Sequence, residues 1–192
     1  VPAKVTLVGA ADLSTKGRDP RPWLFDLSVA EPWRYTDFTT DTDDPATRRY
    51  IETFSYTDVD GNALLEARPG RYKVVVSRGI EYNTYEKDVE LEPGKRISVS
   101  ADLERVVDTK GYVAADFHLH SIFSLDSFAR VPDRLLSYAG EGLEFVVATD
   151  HNVVVDYAGT LDRMGLHRFL RSAIGLELTT IDRGHFNGYP LR

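Results

Sequence analysis

Glu144-Phe145-Val146-Val147-Ala148-Thr149-Asp150-His151-Asn152 decides the fold of the C-terminal half. The run from Glu144 to Thr149 is almost continuously apolar. That pattern marks a strand buried on both faces, as in a parallel sheet. It ends in Asp-His, which brings polar groups to the C-terminal edge of that sheet, where the sites of α/β folds gather. Upstream, Pro132–Ala139 reads as a helix, with proline in its first turn, Asp133 at its positive end and Gly140 as its stop. Before it, Tyr112–Leu119 reads as a strand. Downstream, Asp156–Met164 reads as a helix with Tyr157, Leu161 and Met164 on one face. Ala173–Thr179 reads as a third strand and Phe186–Leu191 as a fourth. Strand, helix, strand, helix, strand implies parallel βαβ units.

The first 108 residues have a different texture. Ala3–Val8, Ile51–Thr57, Arg71–Ser77, Asp88–Leu91 and Arg96–Leu103 alternate in the manner of strands. Asp58-Val59-Asp60-Gly61-Asn62 reads as a hairpin turn, and Pro69-Gly70 and Pro93-Gly94 as further turns. Short strands punctuated by glycine and proline predict an antiparallel β-sandwich. Residues 10 to 50, rich in proline, aspartate and threonine, read as a long decorated loop. The fold class expected is therefore α+β with two domains: residues 1–108 as a β-sandwich-like accessory domain and residues 109–192 as βα units.

Of 192 residues, 42% are apolar and 28% charged, the balance of an ordinary globular chain. The net charge of −7 repels nucleic-acid backbone, so no nucleic-acid partner is expected. No stretch has the length and apolarity of a membrane span, so no membrane partner is expected. There is no cysteine, which excludes disulfides and thiolate metal sites and leaves the compartment open.

Four of the five histidines fall at predicted strand ends. In Asp116-Phe117-His118-Leu119-His120-Ser121, residues two apart share a face of a strand, so Asp116, His118 and His120 are expected on one side and Phe117 and Leu119 on the other. Asp126 follows in a loop. Asp150-His151 closes the apolar strand. Glu177 interrupts an apolar strand, and a buried carboxylate demands a cation or hydrogen-bond partners. His185 sits where the fourth strand begins, whereas His167 on its helix reads as surface. Singly, each is as easily structural as functional. Together, nitrogen and carboxylate ligands without thiolate suit Zn²⁺, Mn²⁺ or Fe²⁺. Asp150 is placed behind the ligands, orienting His151 or a neighbour.

The ordered set resembles the polymerase-and-histidinol-phosphatase (PHP) family. His118-Leu119-His120-Ser121 looks like its first motif, Thr149-Asp150-His151-Asn152 its second and Gly175-Leu176-Glu177 its third. Gly184-His185-Phe186-Asn187-Gly188-Tyr189-Pro190 is similar to the segment supplying a further histidine. The residues from Arg71 to Asp108 are similar, more loosely, to the β-rich extension of carbaryl-hydrolase-like relatives. The resemblance implies a distorted (β/α)7 barrel and two or three divalent ions. It implies His118, His120, Asp126, His151, Glu177 and His185 as metal ligands. It also implies a phosphoesterase or related hydrolase that attacks a small, anionic substrate with a metal-bound hydroxide. The family closes its site with a later histidine and an Asp-x-His, so further barrel residues or a partner chain are expected to complete the fold. A reading from another class sees a non-catalytic β-sandwich binding or scaffold module attached to an incomplete metal-binding domain.

Overall fold

The computed structural model describes residues 1–10 and 49–191. The long loop expected over residues 10 to 50 lies almost wholly outside the described residues.

The N-terminal half is built on one antiparallel sheet of four strands: β1 (Lys4–Ala10), β2 (Arg49–Tyr56), β3 (Gly70–Ser77) and β4 (Tyr85–Leu91), in the order β2-β1-β3-β4. On β3 the expected alternation holds: Tyr72, Val74 and Val76 are buried while Arg71 and Lys73 point outward. Ala3, Val74 and Val76 form the core of this sheet, with Val5, Tyr85 and Val89 packed on it.

Two expectations change here. The turn at Asp58–Asn62 does not join neighbouring strands, because β1 lies between β2 and β3. Asp58 instead closes a local loop, its Oδ1 accepting the amides of Asp60 (2.9 Å) and Asn62 (2.8 Å). Residues Arg96–Leu103 form no ladder, and among the described residues no second sheet completes a sandwich. The alternation in that segment is nevertheless real. Val99, Ala101 and Leu103 pack against the sheet core, so the period reports which side chains face inward and not backbone pairing.

The C-terminal half carries three parallel strands, β5 (Ala115–Leu119), β6 (Phe145–Ala148) and β7 (Arg171–Ile174), in the order β5-β6-β7. Helix α1 (Val131–Gly140) crosses from β5 to β6, and α2 (Ala158–Arg163) with a 3-10 turn (Leu166–Arg168) crosses from β6 to β7. As the apolar run predicts, Val146, Val147 and Ala148 of the central strand are sealed on both faces. Leu119, Leu135, Ala139, Val146, Ala148, Tyr157, Leu161, Leu166 and Leu170 make one continuous core between sheet and helices. Among the described residues these strands form an open sheet and not a closed barrel.

The third predicted strand, Ala173–Thr179, is two strands. It breaks at Gly175, and β8 (Leu176–Thr179) leaves the parallel sheet to pair antiparallel with β9 (His185–Gly188). A Cβ on residue 175 would lie 2.7 Å from the Ala148 carbonyl and 2.8 Å from Val147 Cγ1, so the chain turns there against β6 only because it has no side chain. The expected fourth strand is therefore β9, in a two-stranded ribbon and not in the parallel sheet.

The halves meet through close backbone approach. Arg78, buried, donates from Nη1 to the Ala139 carbonyl (2.7 Å) and also to that of Pro2. Tyr56 Oη donates to Glu141 Oε1 (2.8 Å), and Lys4 Nζ pairs with the same oxygen at 3.1 Å. Gly79, at φ +60°, lies so near the Glu141 carbonyl that a Cβ would overlap it.

Candidate metal centre

The site forms where β5 and β6 end and the β8–β9 ribbon folds back over them. Thr149 knits the strand ends together. Its Oγ1 accepts the Leu119 amide (2.7 Å) and donates to the Leu119 carbonyl (3.0 Å), while its own amide donates to that carbonyl at 3.1 Å. The residues beyond, His120 and Asp150-His151, are thereby held at one level. Asn152 then takes φ 54°, a left-handed conformation that asparagine tolerates better than most residues. Its side chain clamps β8 by accepting the Thr179 amide (3.0 Å) and donating to the Thr179 carbonyl (3.2 Å). Its backbone amide donates to the Glu177 carbonyl at 2.9 Å. Glu177 is thus aligned beside His151, although it stands on another sheet.

The shared face expected for Asp116, His118 and His120 is interrupted. Asp116 pairs with Val146 and Leu119 with Ala148, three residues against two, so β5 carries an irregularity between them. Leu119 enters the helix-side core, and Asp116 binds Tyr138 of α1, helping burial to raise that hydroxyl's pKa. The Asp116 Oδ1 also accepts the His118 amide (2.9 Å). His118 and His120 do converge, with Nε2 atoms 3.0 Å apart.

Glu177 is the hub. It is only 2% exposed, and Oε2 lies 3.0 Å from His118 Nε2, 3.1 Å from His120 Nε2 and 3.2 Å from His151 Nδ1. Oε1 lies 2.9 Å from His185 Nδ1. Asp126 joins from its loop, with Oδ2 3.2 Å from His151 Nε2 and Oδ1 3.8 Å from His120 Nδ1. All six residues singled out as ligands therefore meet. They fall into three overlapping groups: His118, His120 and Glu177; His120, Asp126 and His151; His151, Glu177 and His185. His167 stands apart beside Asp162, 3.6 Å away.

The donor chemistry fits divalent cations. Three ring nitrogens crowd one carboxylate oxygen, which has two lone pairs to offer. Hydrogen bonds alone satisfy such a cluster poorly. Ligand atoms about 2.0–2.1 Å from a common ion sit roughly 3.0–3.4 Å apart, the spacing found among His118, His120 and Glu177. The protonation states agree as well. Burial, aided by the neighbouring histidines, pushes His120 below its ordinary value against the pull of Asp126 and Glu177. Burial would raise Glu177, yet the hydrogen bond and charge of His118, with His151 and His120, hold it below the usual carboxylate range. Asp126 is likewise lowered, the His151 hydrogen bond and the His120 charge outweighing burial. A neutral imidazole beside ionised carboxylates is the state that binds metal.

Asp150 lies behind the cluster, fully buried. Its carboxylate accepts the Ser121 amide (2.6 Å), the Ser121 hydroxyl (3.0 and 2.9 Å), the Ser124 hydroxyl (2.9 Å) and the Tyr157 hydroxyl (2.8 Å). Sequence reasoning gave no role to Ser121, Ser124, Asn152, Tyr157 or Thr179, whose Oγ1 is 2.5 Å from His151 Nδ1. The two serines follow the histidine pair at short spacing, a signal carried by the sequence. Tyr157 reads as an apolar core position, and Thr179 comes close only through the ribbon.

No family model, curated protein or solved structure matches the chain. Among the described residues no helix is long and apolar enough to cross a membrane.

Proposed function

We propose that the cluster binds divalent ions, zinc, manganese or iron, two or three of them in the complete domain, and that the chain is a metal-dependent hydrolase of the PHP type. In this reading residues 109–192 are the first βα units of a distorted (β/α)7 barrel, and residues 1–108 an accessory β-domain. The substrate is a small anionic phosphoester or a related ester, amide or carbamate. The observation that carries the reading is Glu177: a buried carboxylate whose partners are four histidines, and whose neighbours divide into three overlapping ligand groups.

His118, His120 and Glu177 would hold one ion, with His151, Asp126 and His185 extending the site on either side. Bound divalent ions supply Lewis-acid polarisation of substrate oxygens and lower the pKa of water. The chain's own contribution is positional. Glu177 stays ionised between groups, His120 stays neutral, and the Asn152 clamp keeps the ribbon that carries Glu177 and His185 against β6.

The test is to dialyse the purified chain separately against Zn²⁺, Mn²⁺ and Fe²⁺. Metal per chain is then counted by mass spectrometry, and hydrolysis of p-nitrophenyl phosphate is followed. At least one bound ion per chain and metal-dependent hydrolysis are expected. Glu177→Gln should cut both affinity and turnover by about 100-fold or more, beyond the loss seen on altering residues that only support ligands. A wild-type chain that retains no metal would sink the reading.

A further inference from the structure

The buried network behind the ligands has a property that the ligand set alone does not. Ser124 is 4% exposed, and its Oγ stands among three groups: Asp150 Oδ1 (2.9 Å), the His151 backbone nitrogen (3.0 Å) and His120 Nδ1 (2.9 Å). A hydroxyl offers one proton and two lone pairs. The His151 amide can only donate, so it takes one lone pair. Asp150 gathers donors exclusively: one amide and the hydroxyls of Ser121, Ser124 and Tyr157. As a carboxylate it can only accept, so it takes the serine proton. One lone pair on Ser124 remains, and the atom facing it is His120 Nδ1.

We propose that Ser124, oriented by Asp150, holds the proton of His120 on Nδ1 and so keeps Nε2 as the bare, metal-facing nitrogen. Asp150 and Ser124 are positioning residues that act through His120. The opposite tautomer would place two acceptors against Ser124 with one proton between them, so that either Asp150 loses one of its donors or His120 Nδ1 loses its partner in Ser124. The bare Nε2 faces His118 Nε2 at 3.0 Å and Glu177 Oε2 at 3.1 Å, in the first ligand group; without metal that oxygen competes for the proton, but its two lone pairs are also within reach of His118 Nε2 (3.0 Å) and His151 Nδ1 (3.2 Å), which leaves the contact at Ser124 to decide the tautomer. The same serine oxygen anchors the His151 amide, so one hydroxyl sets both the tautomer of one ligand and the backbone position of another.

This inference deepens the metal-centre reading, yet its central claim concerns a proton that is observable without metal. Histidine-selective ¹⁵N labelling and long-range ¹⁵N–¹H spectra at about pH 8 report the tautomer of each ring. In the metal-free wild-type chain His120 should show a protonated Nδ1 and a bare Nε2. Ser124→Ala should shift it to a mixture or to the Nε2–H form, and weaken Zn²⁺ binding by about 10–100-fold in calorimetry. Ser124→Thr, which keeps the hydroxyl, should restore the tautomer. Tyr157→Phe, which removes a different donor from Asp150, should leave it unchanged and so separates the effect from general loosening of the core. A wild-type His120 found mainly as Nε2–H overturns the proposal, even if Ser124→Ala fails to fold. So does a folded Ser124→Ala with wild-type tautomer and affinity. If the wild-type chain binds no zinc but shows the Nδ1–H tautomer, the metal reading fails and the relay stands.

Discussion

Two buried glutamates satisfy their charge in opposite ways. In the N-terminal sheet Glu52 is 3% exposed and is met by the fork of Arg68, whose Nε lies 2.8 and 3.0 Å from its two oxygens. Arginine stays charged at any pH the protein meets, so the pair is permanent. In the C-terminal half Glu177 is equally buried, but the groups around it are histidines, and among the described residues no lysine or arginine is paired with it. Imidazoles are neutral near pH 7 unless something holds a proton on them. A carboxylate given a guanidinium is finished as a structural device. One given four imidazoles has its charge balance completed by protons or by metal, and that difference separates scaffold from site.

The comparison can be broken in three places. The largest effect is expected at Arg68. Arg68→Ala removes the guanidinium from a buried carboxylate that keeps the amide of residue 68 (3.1 Å), and breaking a buried pair of this kind costs about 3–5 kcal/mol. Urea unfolding should show that loss while metal bound per folded chain is unchanged. Metal loss at equal folded fraction would mean that the halves are coupled more tightly than their ligand sets suggest.

Gly175→Ala comes next. The added methyl meets the Ala148 carbonyl at 2.7 Å and Val147 Cγ1 at 2.8 Å, so the β7–β8 break must shift. A destabilisation of about 1–3 kcal/mol is expected, as for other overpacked sites. Zinc affinity should fall with it, because the ribbon carrying Glu177 and His185 moves. Thermal unfolding paired with zinc calorimetry on the same samples checks both. A stability loss with unchanged affinity would show that the ribbon is held by the Asn152 clamp alone.

The smallest effect belongs to the Asp58 loop of the N-terminal half. The Asn62 amide holds its carboxyl below the ordinary 3.8; desolvation opposes it, and the Asp60 amide adds to the lowering. A carboxylate lowered in the folded state stabilises it above the unfolded pKa, and that contribution disappears as pH falls through the lowered value. Asp58→Ala should therefore be less stable than wild type near pH 7, with the gap narrowing below about pH 4. Urea midpoints across that range measure it. The zinc content at pH 7 should not respond.

Much of this was readable in residue order. Phe145–Ala148 announces a doubly buried strand because no face of it is polar, and the parallel order β5-β6-β7 follows from strands separated by helices too long for a hairpin. The six ligand candidates were likewise visible, since histidines and carboxylates at strand ends have few structural reasons to recur. Reading failed where period and pairing part company. Val99, Ala101 and Leu103 alternate without joining a ladder. Asp116 and His118 are two apart, yet an irregularity in β5 turns them to different surroundings.

What the sequence by itself determined is therefore the list of groups able to bind metal and the parallel sheet edge that presents them. Both depend on residue type and local period, which a chain carries in its order. Only the tertiary structure decided that Glu177 leaves that sheet at Gly175 and becomes the hub, and that Ser124 stands between Asp150 and His120. Those placements depend on how closely one backbone can approach another and on counting donors against lone pairs in three dimensions. Neither is written in the spacing of residues along the chain.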